Sequence, residues 1–520
     1  MEKERPPVRL LKKGTAGLKN LLFSRMTLCL LFLALQILIL FAGFVRFGDF
    51  LPHIVGGQFL LTCGMVLYLF NSKLDATAKL TWLVLIMVAP VFGSLLYLFS
   101  IRELGHRAMK KRVGEIAAQS STALTQPVDT QEALAAACPG AAALARYVRS
   151  SGGYPIYQNT EVCYFPSGEA KLARLLEALE EAKEFIFLEY FIIEEGLMWG
   201  QILEVLIRKA AQCVDVRVMY DGTCEFMLLP KGYSKKLAAH GIRCKVFSPV
   251  IPLVSTHYNY RDHRKILVID GHTAFTGGIN LADEYINAKP KFGHWKDTAV
   301  MLRGEAAQNL TLLFLQNWCL DEKTPDFSGY LRSQPVAAPG FVMPYGDNPL
   351  DNQRVGRQVY TDILNRAQNT VLIMTPYLIL DEETENALRY AAARGVEVKL
   401  ILPGIPDKAI PYALAKTHYP ALLDAGVEIY EYTPGFVHAK VFLSDDREAV
   451  VGTINLDYRS LHHHFECAAY LLDCPCLQQI REDFDATLAQ CRRIDTAALK
   501  QEPRLRRIMG RIAKLFAPLL

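Results

Sequence analysis

The stretch His263-Arg264-Lys265-Ile266-Leu267-Val268-Ile269-Asp270, followed by Gly277-Gly278-Ile279-Asn280, returns 175 residues later. The second copy is His438-Ala439-Lys440-Val441-Phe442-Leu443-Ser444-Asp445 with Gly452-Thr453-Ile454-Asn455. Both read H-x-K-x4-D-x6-G-G/T-x-N. The short apolar runs after each Lys predict strands. Residues i and i+2 of a strand face the same way, so His263 points with Lys265 and His438 with Lys440. The repeat in one register marks a duplication. It predicts two like α/β units related by a pseudo-two-fold axis, with the two motifs meeting at their interface.

An imidazole beside an ammonium suits a phosphate. Lys gives a compact charge to a non-bridging oxygen, and His titrates near neutral pH. Two such pairs supply a nucleophile and a general acid. The glycines fit a tight turn behind the site, and Asn280 and Asn455 are placed to add donors to phosphate oxygens. Asp270 and Asp445, seven residues past their His at the strand ends, read as structural hydrogen-bond acceptors.

The duplicated motif resembles the HKD signature of the phospholipase D superfamily. That signature includes the Asp, so Asp270 and Asp445 stand with the catalytic set by resemblance. Further segments are similar to bacterial cardiolipin synthases in particular. They are Asn259-Tyr260-Arg261-Asp262-His263-Arg264-Lys265, Gly277 through Ile286, Asn455-Leu456-Asp457-Tyr458-Arg459-Ser460, Leu188-Glu189-Tyr190-Phe191 and Trp295-Lys296-Asp297-Thr298. The resemblance covers roughly residues 20–520.

It implies two tandem phospholipase D-like α/β/α halves behind N-terminal transmembrane helices. It implies phosphatidyl transfer between two phosphatidylglycerols, giving cardiolipin and glycerol through a phosphohistidine on His263. It calls for no cofactor and no metal. The family puts an acidic residue behind each catalytic His: here Asp297 follows His263, and Glu466 follows His438. A carboxylate on one ring nitrogen fixes the tautomer. The chain departs from the family at Leu461-His462-His463-His464, where a longer apolar residue and Asn are more usual. A metal on these histidines is a weaker reading than lining of the pocket beside Glu466. Glu189, inside a predicted buried strand, needs a partner, and an Arg or Lys of the site is expected. Hydrolysis to phosphatidic acid, or transfer to another headgroup, is the alternative activity. A nuclease is disfavoured by the two motif copies and the apolar N-terminus.

That N-terminus is unlike the rest. Apolar stretches at about 26–47, 51–70 and 80–101 are each close to the ~20 residues that cross a bilayer, which makes residues 1–112 a membrane-anchoring region. Basic residues flank both ends, Lys12, Lys13, Lys19 and Arg25 on one side and Arg107, Lys110, Lys111 and Arg112 on the other. The positive-inside tendency places both ends in the cytoplasm. Two crossings satisfy it, with 51–70 re-entrant or part of a hairpin; three crossings with an external catalytic region is the alternative. Twelve scattered cysteines without a disulfide pattern favour the cytoplasmic side.

Residues 113–150 read as an Ala-rich linker with some helical character, 151–325 as the first half, 326–345 as a connector and 346–500 as the second half. Residues 501–520 read as a basic amphipathic helix, either packed on the domain or touching anionic lipid headgroups. A net charge of +4 is too mild for a dedicated nucleic-acid binder. Phosphatidylglycerol and anionic membrane lipids are the expected partners, and a homo-oligomer is left open.

Overall fold

The computed structural model describes residues 34–38, 41, 51–72, 74–101, 104–249, 260–332, 334–351 and 353–519. The described residues divide into two compact units, one within 110–249 and 260–514, the other within 34–109 and 515–519.

The larger unit holds two mixed sheets. The first is built from β1 (Thr160–Phe165), β2 (Phe185–Tyr190), β3 (Asp215–Asp221), β4 (Arg243–Phe247), β5 (Lys265–Ile269), β6 (Thr273–Gly277) and β8 (Ala299–Gly304), in the order β1-β8-β6-β5-β2-β3-β4. The second uses β9 (Phe341–Asp347), β10 (Thr370–Met374), β11 (Glu397–Pro403), β12 (Glu428–Tyr432), β14 (Val441–Ser444), β15 (Glu448–Gly452), β16 (Glu466–Leu472) and β17 (Cys491–Ile494). Read from its β9 edge, its order is β9-β16-β15-β14-β10-β11-β12-β17. That repeats the first sheet strand for strand and adds β17. In each sheet three strands run parallel, β2-β3-β4 and β10-β11-β12, and the motif strand joins them antiparallel. A third, two-stranded sheet pairs β7 (His294–Lys296) with β13 (Gly435–Val437), one strand from each half.

The motif strands β5 and β14 are buried along their whole length, which is why both read as continuous apolar runs. Helices Gly168–Glu181 and Glu382–Ala393 start where Ser167 and Asp381 accept backbone N–H bonds from Ala170 and Thr384. Helix Ala307–Trp318 is buried on nearly every side, against β2, β5, β6 and β8 of the first sheet and β9 of the second.

Strand β10 stops at Met374, because Pro376 lacks an N–H and restrains Thr375 before it. Two segments differ from the sequence reading. The connector expected over 326–345 gives its end to β9, which pairs with β16. Residues 113–150, read as a linker, are mostly helical, with helices Leu104–Ser120, Val128–Ala137 and Pro139–Gly152. Leu134, Ala141, Leu144, Ala145 and Val148 are buried, and their small or helix-favouring side chains let the backbone pack closely.

In the smaller unit, helices Leu51–Phe70, Ala76–Val88 and Pro90–Ile101 enclose Met65, Leu69, Trp82, Ile86 and Tyr97. The apolar stretch 80–101 is interrupted at Ala89, which adopts φ −137° and ψ 78° before Pro90. The first expected membrane stretch, 26–47, lies almost wholly outside the described residues. Among the described residues no helix is long and apolar enough to cross a membrane.

Candidate active site

The two halves deliver the motif histidines by exchanging short strands. β13 runs parallel to β7 with Phe436 opposite Trp295 and Val437 opposite Lys296, and His438 N donates to Lys296 O at 2.7 Å. On the other side Asp262 bridges Phe465 in parallel. There His263 N donates to Phe465 O at 2.9 Å, and Phe465 N to Arg261 O at 2.9 Å. Each histidine therefore emerges beside the acid-bearing segment of the opposite half.

The side chains follow. His263 Nδ1 lies 2.9 Å from both Oε1 and Oε2 of Glu466. His438 Nδ1 lies 2.6 Å from Asp297 Oδ2. The sequence reading attached Asp297 to His263 and Glu466 to His438. The structure reverses this, because the strand exchange carries each carboxylate across the interface. With Nδ1–H donated to a carboxylate, Nε2 is left as the free nitrogen of each ring. Lys440 Nζ lies 2.9 Å from His438 Nδ1, but that nitrogen's proton serves Asp297, so the lysine's hydrogen bond runs to His438 O. Lys265 Nζ likewise donates to His263 O, at 2.6 Å.

Gly278 and Thr453, equivalent in the repeat, serve the two carboxylates differently. A Cβ on Gly278 would sit 2.0 Å from Asp297 Oδ1, so only glycine leaves room for that carboxylate. Thr453 instead donates its hydroxyl to Glu466 Oε2.

Burial governs the electrostatics. His263 and His438 are 6% and 7% exposed. Desolvation pulls the His263 imidazole down to about 3 against the opposing pull of Glu466. Desolvation and then Lys440 pull His438 down to about 4. Lys265 is lowered to about 8 and Lys440 to about 7, again first by desolvation. Burial is the largest single influence on Asp297 and Glu466 and would raise both; His438, Lys440 and the Thr298 N–H at Asp297, and His263 with His464 at Glu466, together hold them below the usual carboxylate range. The halves act on one another: Lys265 adds to the lowering of His438, and Glu466 supports the charge of Lys440. At neutral pH both imidazoles are neutral and both lysines lie close to their titration range.

Aromatic rings close the site. Phe191 meets the His263 ring edge-on at 5.0 Å between centroids. Tyr285, Trp295 and Phe436 surround His438 at 5.4, 5.3 and 5.9 Å.

Other expected residues are placed as follows. Asp270 and Asp445 lie at the far ends of β5 and β14, about 16 Å along the strand from the lysines. Each accepts three backbone N–H bonds, Asp270 from Lys183, Glu184 and Phe185 and Asp445 from Gln368, Asn369 and Thr370. Both carboxylates are thus engaged at the opposite strand end from the histidine and lysine of their own motif. Asn280 ties Ile192 N to Tyr285 OH. Asn455 Nδ2 donates to Asp457 and its Oδ1 is buried without a partner among the described residues.

Glu189 Oε1 accepts from Asn317 and lies 3.9 Å from Arg264 Nη1. Burial, reinforced by Asp262, raises it well above the usual carboxylate range. Register puts Met374 at the equivalent place, opposite Val441 as Glu189 is opposite Ile266. The feature is confined to the first half.

His464 is buried beside Glu466. Its Nδ1 is 3.6 Å from Glu466 Oε1, and its Nε2 has no hydrogen-bond partner among the described residues. His263, His464 and Glu466 each offer one ligand atom within 4.8 Å of the others, the only such group of three among the described residues. His462 instead meets Asp381 at 3.0 Å.

Sequence reasoning missed Lys171, a fully buried lysine on helix Gly168–Glu181. It donates to Ile279 O and Tyr190 OH, both at 3.3 Å, and burial lowers it to about 7. In the second half Tyr360 OH donates to Ile454 O at 3.0 Å, the equivalent carbonyl. Lys171 lies next to Leu172 and one turn before Leu175, both buried. Its place on the apolar stripe was the available signal.

A family model described as "Cardiolipin synthase, PLD-like domain" matches residues 175–318 and 360–488, together more than half of the chain. One described as "Phospholipase_D-nuclease N-terminal" matches residues 60–102. The chain is 53% identical over 464 residues to an uncharacterized protein of Streptococcus mutans, covering 88% of this chain and all of that one. It is 33% identical over 466 residues to cardiolipin synthase 2 of Bacillus anthracis, covering 89% and 90%. Among solved structures it is similar to phosphatidylserine synthase of Haemophilus influenzae, with a TM-score of 0.56 at 17% identity over 71% of this chain and 97% of that one, a likeness of fold. On the family match and the identity to curated synthases, the chain belongs to the cardiolipin synthase family of phospholipase D-like phosphatidyltransferase enzymes.

Proposed function

We propose that the protein joins two phosphatidylglycerol molecules into cardiolipin and releases glycerol, in two steps at one site. Nε2 of His263 attacks the phosphorus of the first lipid. The P–N bond forms as the P–O bond to glycerol breaks, and His438 Nε2–H gives its proton to the departing oxygen. The hydroxyl of a second phosphatidylglycerol then gives its proton to His438 and attacks phosphorus. The P–N bond breaks, and His263 returns to its starting state. Lys265 and Lys440 balance charge on the non-bridging oxygens.

The observation that carries this reading is the pair of histidines, each bound through Nδ1 to a carboxylate of the opposite half and each with Nε2 free. His438 is neutral in the empty site. The negative charge of an incoming phosphodiester favours its protonated form and equips it as the acid. The aromatic walls and slight exposure of both histidines support an alcohol as acceptor, since a drier site disfavours hydrolysis.

The protein works at a membrane on this reading, with the catalytic unit on the cytoplasmic side. The smaller unit supports it: Leu60 is 72% and Val88 79% exposed, with Phe59, Leu67, Phe70, Leu80 and Met87 also out, an apolar surface that water does not favour.

The test is the purified protein on phosphatidylglycerol vesicles without metal or nucleotide, with products identified by mass spectrometry. Cardiolipin with equimolar glycerol is expected. Phosphatidic acid alone would make the protein a hydrolase.

A further inference from the structure

Helix Arg504–Lys514 is docked on the catalytic unit by one narrow face. A Cβ on Gly510 would lie 2.3 Å from Ala413 O, so the two backbones touch there. Ala513 is buried. Arg506 pairs with Glu502 at 2.8 Å, and its guanidinium lies over the Tyr412 ring at 5.4 Å. Gly510 and Ala413 make close docking possible because neither fills the space between the helices.

The outer surface is sorted in a way that docking does not require. Leu505, Ile508 and Ile512 are 78%, 54% and 55% exposed. At about 100° per residue these three share one stripe, roughly opposite Gly510 and Ala513. Arg504, Arg507 and Arg511 fall in a row along one border of that stripe and form no ion pair among the described residues. A helix whose only task was to cover the domain would turn Leu and Ile inward and let charges point out at random. Here the small residues face inward, and large apolar side chains and arginines form two adjacent outer rows.

We infer that this helix is an interfacial anchor, lying in the headgroup layer of an anionic bilayer and holding the catalytic unit against the lipid surface. The apolar row enters the acyl boundary, and the arginines meet phosphate groups beside it. A second copy of the chain fits less well. A two-fold contact through the same patch with the helices antiparallel would bring the arginine row close to its own image. The inference rests on the proposed function only for the identity of the surface: phosphatidylglycerol, the proposed substrate, is itself the anionic lipid.

The test uses the full chain with Ile512→Trp, and separately Leu505→Trp, reconstituted in phosphatidylglycerol vesicles. The fluorescence added by each tryptophan is compared with wild type, and cardiolipin formation is followed in the same samples. The expected result is a blue-shifted added emission, quenched by lipids brominated on the acyl chain. Adding Arg507→Gln and Arg511→Gln should reduce that quenching, and high salt should reproduce the effect, because surface charge acts only over about 10 Å at 0.1 M salt. An added emission characteristic of water, unquenched by brominated lipid, would overturn the inference even if cardiolipin were formed. So would a shift that depends on protein density and ignores brominated lipid, which would identify a second copy as the occupant. Quenched tryptophans without cardiolipin formation would leave the anchor standing and count against the proposed reaction.

Discussion

Glu466 holds the imidazole of His263 from the opposite half of the molecule, with both carboxylate oxygens 2.9 Å from Nδ1. Asp297 does the same for His438 at 2.6 Å in the reverse direction. Neither half by itself contains both a motif histidine and the carboxylate that binds it. Glu466→Gln and Asp297→Asn each keep the shape and remove the charge that fixes the ring. Each is expected to lower kcat for cardiolipin formation by about 10²–10⁴-fold while leaving KM nearly unchanged, and to shift the pH–rate profile. Near wild-type turnover in either variant would show that the carboxylates do not act through the histidines.

Acid should weaken the fold well before ordinary carboxylates titrate. His263 and His438 are pulled down to about 3 and about 4 in the folded protein, whereas an unfolded chain binds a proton at each near pH 6.5. Between those values the unfolded state binds more protons, so stability is present above about pH 6.5 and falls as the pH falls. The slope is about 1.4 kcal/mol per pH unit for each histidine. Glu466 and Asp297, also lowered, add to the loss below about pH 4.5. Denaturant unfolding between pH 4.5 and 7 should show this slope, and His438→Gln should remove one proton's share. An unchanged slope in that variant would mean His438 is not buried neutral.

Gly278 and Thr453 offer a contrast between equivalent positions. Gly278→Ala places a methyl on the Asp297 carboxylate, at 2.0 Å before relaxation. It should displace that carboxylate from His438, with a loss of turnover matching Asp297→Asn and a lower melting temperature. Thr453→Ala removes one hydroxyl donor from Glu466, at a cost of about 1–3 kcal/mol, and should impair turnover less. The reverse ranking, read from parallel assays and melting curves, would contradict the packing described at Gly278.

The sequence made the motif strands and the direction of their side chains legible, because the period of two in a strand leaves His263 and Lys265 no choice of face. The place of Asp270 was legible for a related reason: it falls where the strand has ended. The partners of the histidines were not legible. Asp297 is nearer to His263 in the chain, yet which carboxylate reaches which ring is decided by β7 and β13 pairing across the interface, a contact between residues some 140 positions apart. Lys171 escaped notice because a lysine in a helix with four Glu reads as surface. Only the packed helix reveals that its ammonium is spent on Ile279 O. The break at Ala89 was foreshadowed by Pro90, but 80–101 is apolar throughout, and composition alone reads through the break.

The strand exchange also bears on the life of the chain before it is whole. During synthesis both histidines and both lysines have been made once residue 440 is added, yet His263 waits for Glu466, near the end of the last motif segment. A nascent chain stalled short of that point, or a fragment left by a protease, has the reactive groups without the carboxylate that aligns the first of them. On the proposed function, a site with both histidines aligned therefore exists only after residue 466 has been added.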